Sequence, residues 1–435
     1  MSTHPRLALA HGALAVTAFV TGSCASYSAR TEKALRDFQG GQFARSSEVF
    51  GDEEEIGSAF LSGVEAGTVA LTAGEWESAQ AFLGRAAEAS REIEGRALLG
   101  AEELGEGLLS WALNDTARAY QGEGFERVYV HCGLALTYLA QGLLDDVYVE
   151  ARLANQLLEA EEKLYRKKYR AGGWGHLISA IAYELLDEPD QAYVDYLRME
   201  EKGVGTQLAG PALVRLATHM HRNEDLARWT ERYGPYLERP EDAASIVVLA
   251  GVGLGPTKVE GNLLLPTPDG VIAFAGVAYR TREQACRGLR LVAGELSSET
   301  TVIEDVSSVA RQNLEDRQLW THAKSVARGL LKRGLTKKLE DEHGLAGRVA
   351  GDLFAIATER ADLRHWRTLP DTWQATRLFV PPGVLELRLE ALGGRSVDLG
   401  SFELEPGETM LVFARSLGTN VYAHAIGGRP IGGDS

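Results

Sequence analysis

The residue whose surroundings most clearly invite chemistry is Cys24. It follows the apolar run Leu7 to Val20, which has one positive charge before it, Arg6, and the small residues Thr21-Gly22-Ser23 after it. A basic flank, a short apolar stretch and small residues up to a cysteine have the layout of a secretory signal peptide ending in a bacterial lipobox. In that chemistry the cysteine carries acyl chains and becomes the first residue of the mature protein. The run is about 14 residues long, too short to cross a bilayer, which takes ~20. The expectation is a signal peptide over 1–23, a lipidated tether over 24–29, and a chain held on a membrane surface outside the cytoplasm. Ordinary cleavage and an uncleaved terminus are the two other readings. Ala25, not Asp, follows the cysteine, which resembles the outer-membrane sorting signal of lipoproteins in double-membraned bacteria, so the expected location is the outer membrane, facing the periplasm.

Elsewhere the sequence offers little for catalysis. The patterns HExxH, GxSxG and the P-loop do not occur. Gly251, Gly253 and Gly255 follow a strand-like run, but Pro256 blocks the helix that a dinucleotide site needs. His219 and His221 flank Met220 near a helix end, and Glu53–Glu55 and Asp145-Asp146 read as solvated acidic runs. His131 and His176 occupy equivalent repeat positions, which suggests packing. Besides Cys24 only Cys132 and Cys286 remain. They are expected as two buried thiols, with a disulfide in an oxidising compartment left open. No catalytic, cofactor or metal-ligating residue is assigned, and the expectation is a protein that is not an enzyme.

The net charge is −16, from 45 Lys and Arg against 61 Asp and Glu. A nucleic-acid binder usually shows a basic footprint, so no nucleic-acid partner is expected. Residues 30–240 contain few prolines and repeat a pattern of small and bulky residues at helical spacing. The clearest copy is Gly67, Ala70, Gly74, Trp76, Ala79, Leu83 and Ala86; a second is Ala135, Tyr138, Gly142, Leu144, Val147, Ala151 and Ala154. A third runs from Ala180 to Met199, a partial copy opens at Ala34, and a degenerate one closes around Tyr233. Such a pattern resembles that of the tetratricopeptide repeat (TPR), a helix-turn-helix of ~34 residues whose pairs must stack to bury their apolar faces. On the first helix of each pair the inward positions include Thr68, Tyr129, Leu136, Leu139, Trp174, Leu177, Ile181 and Glu184. Tyr129, Leu136, Leu139, Trp174, Leu177 and Ile181 are the candidate partner groove. Either the protein fills that groove itself, or the apolar helix of a partner docks there.

From Ala244 onward short β-type runs bounded by Gly and Pro appear, at 245–250, 258–265, 271–279, 289–293 and 300–304, then at 375–380, 384–391, 397–403, 408–415 and 420–425. A helical stretch at about 305–362 separates the two sets, with a basic side that includes Arg317, Lys324, Arg328 and Lys332. The expected fold is α+β: a TPR-like solenoid over 30–240, then a β-sandwich-like domain over 244–435 with a helical hairpin inserted.

Two stretches go beyond a generic repeat. One is 114–158, with Tyr120, Gly122, Glu123, Phe125 and Glu126 leading into the second copy; the other combines IEDVSSVARQNLEDR (303–317) with ADLRHWRTLP (361–370) and PPGVLELRLE (381–390). Together they resemble a family of bacterial TPR-containing lipoproteins built as lipid anchor, helical array and β-rich domain. The resemblance implies genes near curli-secretion-like and penicillin-binding-protein-activator-like lipoproteins, and a place in an envelope assembly. It carries over no catalytic residue. The expected function is a lipid-anchored scaffold that recruits other envelope proteins. The alternative is an envelope glycan-binding protein or hydrolase acting through the β-rich half, which requires a polar cleft with convergent carboxylates.

Overall fold

The computed structural model describes residues 27–100, 120, 122–165, 170–237, 240, 242–267, 270–315 and 362–431. The lipidation expected at Cys24 and most of the basic hairpin lie outside them. Ten main helices form five consecutive pairs: α1 (Glu32–Gln39) with α2 (Phe43–Phe50), α3 (Ala59–Ala73) with α4 (Trp76–Gly100), α5 (Gly124–Ala140) with α6 (Leu144–Tyr165), α7 (Gly173–Leu185) with α8 (Pro189–Lys202), and α9 (Thr206–His219) with α10 (Asn223–Tyr233). The small residues of the repeat pattern explain how closely each pair packs. A Cβ on Gly67 of α3 would sit 2.7 Å from the Leu83 side chain of α4, and one on Gly63 would meet the Phe82 carbonyl at 2.6 Å. Gly74 ends α3 with φ +78°, a left-handed conformation that side chains rarely adopt. His131 and His176 do pack as equivalents. Each holds an acid 19 residues on, in the second helix of its pair: His131 to Glu150 at 2.6 Å and His176 to Asp195 at 2.8 Å.

Among the described residues the β-rich half contains two five-stranded sheets. The first has the order β11-β10-β1-β7-β6 and the second β12-β9-β8-β4-β5. Their strands are β1 (Ala244–Val252), β4 (Leu289–Ala293), β5 (Leu296–Glu299), β6 (Thr301–Asp305), β7 (Thr372–Val380), β8 (Gly383–Ala391), β9 (Val397–Leu404), β10 (Thr409–Leu417), β11 (Asn420–Ile426) and β12 (Arg429–Ile431). β2 (Thr257–Thr267) and β3 (Gly270–Arg280) form a separate hairpin. β1 pairs parallel with β10 and antiparallel with β7.

Side-chain alternation in β1 fixes how the layers stack. Ile246, Val248 and Ala250 join Leu289, Leu291, Leu387 and Leu389 in a core between the two sheets. Val247 and Leu249 point the other way and join Trp373, Leu411 and Phe413 against the helices. The first sheet is therefore a middle layer with helices on one face and the second sheet on the other. That double burial accounts for the unbroken apolar run IVVLA where a half-exposed strand would alternate. Composition shifts near residue 240, but the core does not divide there. A single apolar cluster runs from Phe38 and Leu61 through Trp174 to Trp373 and Phe413.

Candidate functional site

The six residues of the candidate groove are all buried, none more than 3% exposed. The chain's own residues cover these side chains, which belong to its main apolar cluster and are not open to a partner as they stand. Residues 362–371 run across the concave face as a strap, and β6 and β7 continue the cover.

The strap is held mainly through its backbone. Three successive N–H groups have no strand to pair with and would be costly to bury alone. Trp366 N–H donates to Glu126 Oε1 at 2.8 Å, Arg367 N–H to Glu65 Oε1 at 2.6 Å, and Thr368 N–H to Glu65 Oε2 at 2.9 Å. A carboxylate suits this work because it only accepts and has two oxygens to share. Side chains add to the hold. Trp366 Nε1 donates to Thr68 Oγ1 at 2.9 Å, and Arg367 reaches Thr31 Oγ1 at 2.7 Å and Glu32 at 2.6 Å. From the sheet side, buried Arg415 ties strap to strand. It donates to the carbonyls of Gly251 (3.0 Å), Gly253 (2.5 Å), Ser416 (2.9 Å) and Thr368 (3.0 Å).

Two further carboxylates stitch the array to the sheet. Glu304 of β6 accepts from Tyr129 OH at 2.9 Å and from the N–H groups of Gly172 and Trp174 at 3.0 Å each, at the start of α7. Glu184 of α7 takes Arg377 of β7 at 2.6 and 2.9 Å, Arg215 of α9 at 2.9 Å and Tyr196 OH at 2.7 Å. Between them Trp174 stacks on Trp373, with ring centroids 3.7 Å apart. The GEGFE stretch does begin a helix: Glu126 Oε2 accepts the Glu123 N–H at 2.9 Å and the Tyr120 hydroxyl at 2.6 Å. Glu123 in turn meets Lys258 Nζ at 2.5 Å.

Burial sets the electrostatics. It pushes the carboxyls of Glu65 and Glu304 up, and that of Glu126 to about 6 despite Lys258 nearby. Burial acts on Glu184 in the same sense, but Arg377 and Arg215 outweigh it and hold that carboxyl at about 2. Burial lowers His365 to about 3, with Lys258, Arg367 and Arg282 adding to the effect. Its Nδ1 bonds the Leu363 carbonyl at 2.9 Å and its Nε2 has no hydrogen-bond partner. A histidine held neutral in the folded state binds its proton in the unfolded state first. Its stabilising contribution is therefore full above about pH 6.5 and is lost as pH falls toward 3. Relative to His365→Gln, the wild type is expected to lose about 1.4 kcal/mol of stability per pH unit below pH 6.5. Urea unfolding of both proteins at several pH values measures this, and a constant difference would mean that the imidazole is not held neutral.

The glycan-binding or hydrolase alternative asks for convergent carboxylates in an open cleft. Glu65 and Glu126 on the array and Glu304 on β6 all lie at the junction of array and sheet, but each is at most 1% exposed and bonded to structural donors. Among the described residues no group of three or more His, Cys, Asp or Glu is placed to hold a metal ion. Cys132 and Cys286 are buried, free thiols. Among the described residues no helix is long and apolar enough to cross a membrane.

No protein-family model matches the chain, and no curated protein matches it. A solved structure that does match is the crystal structure of a point variant of a Podospora anserina putative kinesin light chain, described as having nearly identical TPR-like repeats. It is 15% identical, covers 47% of this chain and 91% of its own, and superposes with a TM-score of 0.30. So loose a superposition adds nothing to what the helix pairs themselves show: an array of TPR-like helix-turn-helix units.

Proposed function

We propose that the protein is a lipid-anchored envelope scaffold that recruits other proteins through the outer surface of its helical array. The observation that carries this reading is an inversion of the usual repeat surface. The concave face is filled from within, while apolar side chains stand in solvent on the second helices of the pairs. Val149 and Leu153 on α6 and Val194 on α8 are 51%, 37% and 47% exposed. Single exposed apolar residues are normal on any surface; these three recur on neighbouring repeats. The lipobox-like leader supports the anchor, and Cys24 is the residue that takes it. The carboxylates of the junction are read as structural, and the protein as a scaffold without an activity of its own.

The expected result is that Val149→Asp, Leu153→Asp and Val194→Asp together leave thermal unfolding nearly unchanged, since surface changes usually move stability by under about 0.5 kcal/mol. Crosslinking in a bacterial envelope should then recover far less of the proteins captured by the wild type. Equal recovery by the folded triple variant would defeat this reading. A Cys24→Ala protein beside the wild type tests the anchor, by the mass of the N-terminal peptide.

A further inference from the structure

A pocket of about 260 Å³ opens where α9 meets β5 and β7. Its charged end is made by Arg215 and Arg377. Both guanidinium groups lean on one carboxylate, Glu184, whose two oxygens already accept Arg377 twice, Arg215 once and the Tyr196 hydroxyl. With ~four lone-pair sites, that carboxylate has no capacity left. Two cations against one anion leave an excess positive charge in a chain whose net charge is −16.

Arg215, the more exposed of the two, keeps donors in hand. Arg377 makes both of its bonds through Nη1, and its Nη2, without a hydrogen-bond partner, is enclosed by protein, so Arg377 lends the pocket charge and not a free donor. Arg215 bonds Glu184 through Nη2 alone and otherwise lies 5.9 Å over the Phe379 ring. Beside them Ser298 and Thr376 bond each other at 2.7 Å. Only one of those two hydroxyl hydrogens is used, so the other can donate. Glu299 is the one acid in the lining, and it is engaged by Arg290 at 3.1 Å. Leu208, Pro211, Ala212 and Phe379 form the apolar part of the wall, and Gln207 and Thr301 add two neutral polar groups.

We propose that this pocket binds a carboxylate carried on an apolar body, with Arg215 and Arg377 as the anionic subsite. The planar fork of an arginine matches a carboxylate in a two-bond arrangement. The pocket lies near the lower end of the ~300–1,000 Å³ typical of ligand sites, so the body is about the size of one amino-acid residue. Such a carboxylate is either a small free acid or the C-terminus of a polypeptide ending in an apolar residue. The proposal does not depend on the scaffold reading.

The test is calorimetric titration of the full chain with N-acetyl-leucine, with N-acetyl-leucinamide, and with an acetylated pentapeptide ending in a free leucine carboxylate. At least one acid should bind and the amide should not. Tighter binding of the peptide identifies a chain terminus as the ligand; binding of N-acetyl-leucine alone identifies a small acid. Arg215→Met should weaken binding by about tenfold or more. Gln207→Trp, at an exposed position on α9, should block the pocket with both arginines retained. Either variant must first show wild-type circular dichroism, and two independent changes guard against one that fails to fold. Equal binding of acid and amide, binding of neither acid, or unchanged affinity in both folded variants would overturn the proposal.

Discussion

Replacing Glu65 with alanine is expected to cost about 4 kcal/mol and to open the strap to trypsin at Arg364 and Arg367. Glu65 is fully buried and accepts three hydrogen bonds: from Tyr27 OH at 2.7 Å, Arg367 N–H at 2.6 Å and Thr368 N–H at 2.9 Å. Removing the acceptor leaves three donors in a place water does not reach, and each stranded donor costs ~1–3 kcal/mol. Glu65→Gln keeps the shape and one oxygen but turns an amide toward a donor, so an intermediate loss of about 2 kcal/mol is expected. Urea unfolding gives the energies, and limited proteolysis under native conditions locates the opening. A loss under about 1 kcal/mol with the strap still protected would show that something other than Glu65 holds it. Burial pushes the Glu65 carboxyl up, so an ionised form costs more here than on the surface. Its bonds to two backbone N–H groups are what make that cost tolerable.

The array is legible in the sequence because its packing is local. Gly67 against Leu83 and Gly210 against the Tyr233 ring are contacts between helices adjacent in sequence, so small and bulky residues must recur at fixed spacing. The strands that alternate or run apolar are legible too. β5 (LSSE) and β12 (RPI) escape a sequence reading because they are four and three residues long and carry neither pattern. The inward positions Thr68, Tyr129, Trp174 and Glu184 follow from the repeat register. What they touch does not, since Trp366 bonds Thr68 across 298 residues and Glu304 bonds Tyr129 across 175. No local pattern encodes such pairings. One signal of them does lie in the sequence: Glu65 is the lone charge in AFLSGVEAGTVALTA, as Arg415 is in TMLVFARSL. A single charge inside a run that must be buried announces a partner from elsewhere in the chain. The stretches 303–317 and 361–370 stand out in the sequence, and they supply Glu304 and most of the strap.

Trp174→Ala is expected to lower stability by about 3–5 kcal/mol, the range for truncating a buried tryptophan, and to do so for the whole molecule at once. Trp174 is 1% exposed, tilts against Tyr129 at 5.7 Å and stacks on Trp373 of the first sheet. Its loss therefore empties space on both sides of the boundary between array and sheet. If the two halves were separate domains, unfolding followed by helical ellipticity at about 222 nm would shift alone, and the sheet would melt where it did before. A core shared between α7 and β7 predicts one transition seen by every probe, displaced by the same amount. Trp373→Ala, on the sheet side of the same stack, must then reproduce the shift from the other half. The double variant should cost less than the sum of the singles, because the two rings lose one contact between them. Separate transitions for helix and sheet in either variant would show that the filled groove is a docking contact between two independent cores. The strap and its carboxylates would then be the main features holding them together.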